Sequence, residues 1–351
     1  MVQADVIIET RGACGLITLN RPAALNSLNI SMARAIAAAL DRWRTDAAVG
    51  CVAIRGAGGR AFCAGADIRA LYELGKSGHG DEQLAFFRQE YRLDHAIARY
   101  PKPVVALIDG IVMGGGVGLS VHTAHCVAGD SVTFAMPEVG IGFFPDVGAT
   151  YFLSRLPGAI GAFLALTGAR IGSGDVLALK LASAYVPSAR HEALTERLAK
   201  GEAPAAAIAA EAETPPDSAF IKERSWIDRC FKAPTVAAIV QRLGNEQSGF
   251  AASCLAALAS KSPTSLAIAL RQVQIGADLD LEEALRVEFR IAARILAGHD
   301  YYEGVRATIV DKDQRPKWLP ADFAAVTSGD IQSYFAPLAE ELEFSAPAAA
   351  A

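Results

Sequence analysis

The 351-residue chain has no run of about 18 uninterrupted apolar residues; Pro, Gly, Asp or His breaks each candidate, so no membrane-spanning helix is expected. It also lacks a basic excess, with 33 Lys and Arg against 38 Asp and Glu and a formal net charge of -5. That balance argues against nucleic acid as a partner, but not against an anionic small molecule, which needs only a local cluster of Arg or Lys. Cysteine is sparse and scattered. The six residues Cys14, Cys51, Cys63, Cys126, Cys230 and Cys254 fit free, buried thiols in a reducing compartment better than a disulfide framework. The opening MVQADVIIETRG meets acidic residues at once and has no apolar stretch of the secretory kind, so no signal peptide is expected and the cytoplasm is the expected location. Two nucleotide fingerprints are missing as well. No G-x-G-x-x-G spacing surrounds Gly114 to Gly118, and Ala70 stands where a Walker A loop ending in Gly75-Lys76-Ser77 needs its first glycine.

What remains is a chain rich in core-forming residues, 52% hydrophobic and 20% charged. Asp5 to Thr10, Cys14 to Asn20, Val49 to Arg55 and Val104 to Ile108 are short apolar runs between Gly- or Pro-bearing turns and predict strands. Ile30 to Arg44 has helical spacing, with Met32, Ile36, Leu40 and Trp43 on one stripe behind an Asn29 or Ser31 cap. Such alternation predicts an α/β layer architecture. The texture then becomes helical, as in Leu281 to Leu296. The division expected is an α/β core over 1–200, an Ala/Pro-rich connecting segment over 201–220, and a helical region over 221–351, with the SAPAAAA tail frayed.

Three segments carry candidate chemistry. In Ile108 to Leu119, IDGIVMGGGVGL, consecutive glycines lie between a strand and a predicted helix, where free N–H groups can hold a phosphate or an oxyanion. The same run also reads as a turn packed closely on a strand. Arg60 to Ile68, RAFCAGADI, offers further backbone N–H groups at Gly65 and Ala66 that could converge on the same point. Phe134 to Phe152 holds Glu138 and Asp146 among Met136, Phe143 and Phe144; burial there would raise a carboxyl pKa and suit a base or nucleophile, while caps or turns are the alternative. His122, His125 and Cys126 have a metal-like spacing late in the predicted helix, but no further ligands accompany them, so they read as a packed or solvent-facing pair and no metal is expected. Arg60, Arg69, Lys102 and Arg155 read as solvated surface from which sequence cannot select a phosphate ligand.

Together NRPAALNSL (Asn20 to Leu28), RAFCAGADI, the glycine turn and MPEVGIGFFPDVG resemble the crotonase (enoyl-CoA hydratase/isomerase) superfamily. That resemblance implies an α/β fold, a crotonase-like spiral of ββα units with a helical C-terminal region, and an acyl-CoA substrate with no other cofactor. It places oxyanion-stabilising amides at Ala66 and Gly115 and CoA contacts at Ala24, Leu25, Asn26, Ala64, Asp67 and Ile68. Two-glutamate hydratases carry GGGxE after the turn, and here the Glu position is Gly118. MGGGVGLSVH, FAMPExxIGxFPDVG, SPTSL, GHDYYEGVRA and DKDQRPKWLPADF are more similar to the 3-hydroxyisobutyryl-CoA hydrolases, a subfamily assigned to valine breakdown. This implies catalytic Glu138 and Asp146, substrate contacts at Glu90, Gly114 and Gly116, and one catalytic unit in which the 221–351 region belongs with the 1–200 core. An isomerase or atypical hydratase using Glu138, and a silent acyl-CoA-binding protein, are the competing readings. Departures are AGAD where those hydrolases carry AGGD, and Ala149-Thr150 after PDVG. The superfamily commonly trimerises through its C-terminal helices; a homo-oligomer stays open for this longer chain.

Overall fold

In the computed structural model, which describes residues 4–344, the first three strands share one sheet and from β3 onward successive strands alternate between two sheets. β1 (Val6–Arg11), β2 (Cys14–Leu19), β3 (Cys51–Gly56), β5 (Val104–Ile108), β7 (His125–Ala128) and β9 (Ala184–Tyr185) form one sheet in that order, while β4 (Ala61–Cys63), β6 (Ile111–Met113) and β8 (Thr133–Ala135) form the other. β1 and β2 pair antiparallel, and every later pairing is parallel. Each turn of chain therefore gives one strand to each sheet and returns through helix. The result is the expected spiral of ββα units. The returning helices include α1 (Ile30–Arg44), α2 (Ile68–Lys76), α3 (Gly80–Ala98) and α4 (Gly115–Val121).

The large sheet is buried on both faces, and its period-two alternation shows how. Ile17, Leu19, Val52, Ile54, Val104 and Ala106 enter the main core, whereas Cys14, Leu16, Cys51, Ala53, Val105 and Leu107 enter a smaller cluster on the other face. Helix α5 (Pro204–Glu211), within 201–220, helps close that second face with Ala207 and Ile208. The Asn29 side chain accepts from the Met32 amide and caps α1, whose stripe of Met32, Ile36, Leu40 and Trp43 is buried. All six cysteines are buried free thiols.

The helical region includes α6 (Pro263–Gly276), α7 (Leu281–Ile295) and α8 (His299–Val305). Leu266, Phe289 and Ile291 share the main core with Ile17, Ile54 and Phe62, so this region packs directly on the spiral. Among the described residues no single helix is long and apolar enough to cross a membrane. His122 is the C-cap of α4 and His125 opens β7, so these two do not share a helical face as the spacing suggested. The SAPAAAA tail lies outside the described residues.

Candidate active site

The C-terminal ends of β4, β6 and β8 lead into the segments that build the site, where parallel sheets generally hold ligands. After β4, the Leu28 amide donates to the Gly65 carbonyl at 2.8 Å, and the Asp67 amide donates to the Leu28 carbonyl at 2.7 Å. In this parallel bridge the intervening Ala66 turns its own N–H away from Leu28. Among the described residues no backbone acceptor takes that N–H. Gly65 sits at φ +102, where only glycine is comfortable, and a Cβ there would lie 3.8 Å from the Gly115 nitrogen, so the two loops touch. Gly115 is the first residue of α4 and its amide has no intrahelical acceptor. Ala66 is not in the left-handed region, so alanine replaces the usual glycine there without backbone strain.

Ala66 and Gly115 line one cavity of about 340 Å³ together with Glu90, Glu138 and Asp146; Ala64, Ile68 and Gly114 line it too. Phe87 and Phe143, stacked at 5.1 Å, form an apolar wall. Glu138 begins a short turn after β8, and its Oε2 is buried without a partner. Glu90 Oε1 is likewise buried and unpartnered. Asp146 Oδ2 accepts from the Tyr91 hydroxyl at 2.9 Å. Burial, and then the charge of Asp146, pushes both glutamates well above the usual carboxylate range. Asp146 itself is pushed up to about 7 by burial, which outweighs the opposing Tyr91 bond. The site thus holds carboxyls that stay protonated far more readily than exposed ones.

The segment carrying Glu138 is fixed from the C-terminal region. A Cβ on Gly304 of α8 would lie 2.3 Å from the Ile141 carbonyl carbon, so helix and turn are in backbone contact. Beyond α8, Arg306 pairs with Glu303 at 2.8 Å, Asp311 at 2.7 Å and Asp313 at 2.8 Å. The two C-terminal sequence motifs thereby fold into one knot, whose Thr308, Ile309, Gln314 and Pro316 form the outer wall of the cavity.

Other expected site residues sit elsewhere. Ala24, Leu25 and Asn26 do not line the cavity; Leu25 accepts from the Ala64 amide at 3.0 Å, and the Asn26 amide group donates to the Ala57 and Ala61 carbonyls. Asp67 caps α2 and pairs with Arg21 at 2.8 Å. Gly116 packs on β4, where a Cβ would lie 2.3 Å from the Cys63 oxygen. At Gly118 a Cβ would lie 2.5 Å from Asp94 Oδ1 and 2.8 Å from Val147 Cβ, so the space next to the hydratase Glu position is filled. Arg69, Lys102 and Arg155 each donate to backbone carbonyls. Sequence reasoning missed Tyr91, Asp94 and the cavity-lining Lys261, whose ammonium burial pushes down. His122 is half-buried and desolvation pushes it down to about 4, hence neutral near pH 7. Among the described residues no three His, Cys, Asp or Glu side chains converge as a metal site requires.

A family model described as enoyl-CoA hydratase/isomerase matches residues 14–335. The 3-hydroxyisobutyryl-CoA hydrolase, mitochondrial, of Rattus norvegicus is 46% identical over 352 residues, covering 97% of this chain and 91% of the relative. The Homo sapiens protein of that name is 44% identical with the same coverage. Among solved structures, a carnitinyl-CoA dehydratase from Mycobacterium thermoresistibile superposes with TM-score 0.94 at 43% identity, covering 98% of this chain and all (100%) of that one. An enoyl-CoA hydratase from Rhodobacter sphaeroides 2.4.1 gives TM-score 0.93 at 41% identity, covering 97% and 100%. The expectation of a cytoplasmic protein is overturned by the curated relatives, which are named mitochondrial. Scattered free thiols are found in proteins of more than one compartment, and composition does not distinguish among them.

Proposed function

The chain belongs to the enoyl-CoA hydratase/isomerase family, and from that premise we propose that it is a thioesterase that cleaves 3-hydroxyisobutyryl-CoA to 3-hydroxyisobutyrate and CoA, a step of valine breakdown. The observation that carries this reading is the pair Glu138 and Asp146 lining one apolar cavity with the amides of Ala66 and Gly115, while Gly118 lacks the second hydratase carboxylate. A cavity of about 340 Å³ suits a short acyl group. CoA arrives as part of the substrate, and the reaction needs no other cofactor.

The thioester oxygen takes the two amides as donors, which stabilise the charge that develops there; losing one such donor typically costs about 3 kcal/mol of barrier. Glu138 in its ionised form then brings about attack on the carbonyl carbon, using its unpartnered Oε2. It does so either as nucleophile, giving a mixed anhydride that water opens, or as base toward a water. Asp146 holds the substrate hydroxyl and passes a proton to the departing thiolate. On this reading both parts of the chain form one catalytic unit, which is supported by Ser260, Lys261 and Gln314 lining the same cavity as Ala66.

The test is CoA release from 3-hydroxyisobutyryl-CoA, followed with a thiol reagent, beside hydration of crotonyl-CoA followed by absorbance. Rapid thiol release with slow hydration is expected. Hydration without thiol release would instead make the protein an atypical hydratase. A single turnover in oxygen-18 water bears on the role of Glu138: label in its carboxyl marks an anhydride that water opened at the Glu138 carbon.

A further inference from the structure

The turn that presents Asp146 is strained, and what holds it comes from elsewhere in the chain. Val147 sits at φ +53, an outlier for a β-branched residue, and Gly148 follows at φ +86. Such a turn persists only where its surroundings over-determine it. Here α6 supplies Gln272, whose Nε2 donates to the Pro145 carbonyl at 3.0 Å and the Thr150 hydroxyl at 2.8 Å. α7 supplies Glu288, whose Oε2 accepts from the Gly148 amide at 2.7 Å and whose Oε1 accepts from the Thr150 amide at 2.8 Å. His122 adds a bond to the Val147 carbonyl at 2.8 Å. The Asp146 side chain itself takes one bond, from Tyr91, so the aim of its carboxyl is set chiefly by the turn.

Glu288 and Gln272 are both buried, and neither lines the cavity. Resting on the catalytic reading of Asp146, we propose that Glu288, with Gln272 beside it, is a positioning residue: its two oxygens grip the amides on the far side of the turn and hold Asp146 aimed into the cavity. Both its oxygens accept, and the two amide bonds oppose the burial that pushes this carboxyl up to about 8. Glutamine at 288 keeps the shape but turns an NH2 donor against one of the two amides. The helical region then does more than wall the pocket, since it fixes the geometry of an acid supplied by the spiral.

The experiment is a double-mutant cycle on the full chain with 3-hydroxyisobutyryl-CoA. Glu288→Gln is expected to lower kcat about tenfold or more with KM within about twofold, in keeping with what small misplacements cost. In an Asp146→Asn background the same change is expected to move kcat by less than about twofold, because the group being aimed is already gone. A purely structural role would instead multiply the two losses, and that result overturns the inference while leaving the catalytic reading intact. An Asp146→Asn enzyme with wild-type turnover overturns both. If Glu288→Gln does not fold, Gln272→Leu is put through the same cycle and read by the same criteria.

Discussion

Replacing Asp146 by asparagine should remove activity and raise stability together, with the gain appearing only as pH rises. Asp146 is 4% exposed, and burial lifts its carboxyl from 3.8 to about 7. A group whose pKa is raised on folding binds its proton more tightly in the folded state. Its contribution is fully present below the unfolded value and is lost as pH climbs through the folded one. The window therefore runs from about 4 to about 7. A rise of about 3 in pKa, at about 1.36 kcal/mol for each, gives roughly 4 kcal/mol of stability that the wild type forfeits across that window. Asparagine has no proton to lose and keeps an acceptor for the Tyr91 hydroxyl. Urea unfolding of both proteins should give midpoints that coincide near pH 4, diverge between about 4 and 7, and stay apart above. Turnover of the variant should fall by about 10²-fold or more. A variant no more stable than wild type at pH 8, or a gap that does not change with pH, would refute the reasoning.

Further outcomes can be checked on the same protein. The limb on which kcat/KM rises with pH, as Glu138 gives up its proton, should lie well above the usual carboxylate range; a limb near pH 4.5 would contradict the desolvation that raises it. Gly115→Ala would set a Cβ 2.3 Å from Glu90 Oε1 and 3.0 Å from Leu28 Cδ1, and steady-state kinetics should show a kcat/KM loss of about 10²-fold. Gly118→Ala meets Asp94 Oδ1 at 2.5 Å, so it should cost about 1–3 kcal/mol in urea unfolding. For the same reason Gly118→Glu should not create crotonyl-CoA hydration, as absorbance would report.

The strands and α1 are legible because each shows its own period: alternating residues in β2, β3 and β5 divide cleanly between two cores, and α1 spans Ile30–Arg44 as its spacing predicts. Glu138 and Asp146 stand out as carboxylates in apolar surroundings, and the family resemblance gives them roles. Glu288, Gln272 and Asp94 do not stand out, although each leaves a trace; Gln272 sits four residues after Ile268, on the buried stripe of α6. Glu288 sits four residues after Ala284 and four before Ala292, on the buried stripe of α7; Asp94 sits four after Glu90 and three before Ile97 on α3. A polar residue on an apolar stripe is a readable oddity. Its partner is not, because the Glu288 carboxylate meets the Gly148 amide across 140 positions of sequence, and that proximity is a property of the packed molecule.

The burial that destabilises the fold at these carboxyls also suits them to release a thiol. An aspartate at its ordinary 3.8 would carry a proton in about one molecule in 10³ at pH 7, leaving almost none able to protonate a departing thiolate. Raised to about 7, the same group is protonated in roughly half, and it stands within about two units of an ordinary thiol near 8.5, where transfer runs downhill without wasting the acid's readiness to be reprotonated. Tyr91 limits the effect from the other side: its hydroxyl favours the ionised form, so burial alone would drive Asp146 higher still. Removing that hydroxyl as Tyr91→Phe would make the acid weaker and its proton harder to give. On the proposed mechanism the apolar walls set the upward push, Tyr91 restrains it, and the grip from α6 and α7 decides where the proton can be delivered.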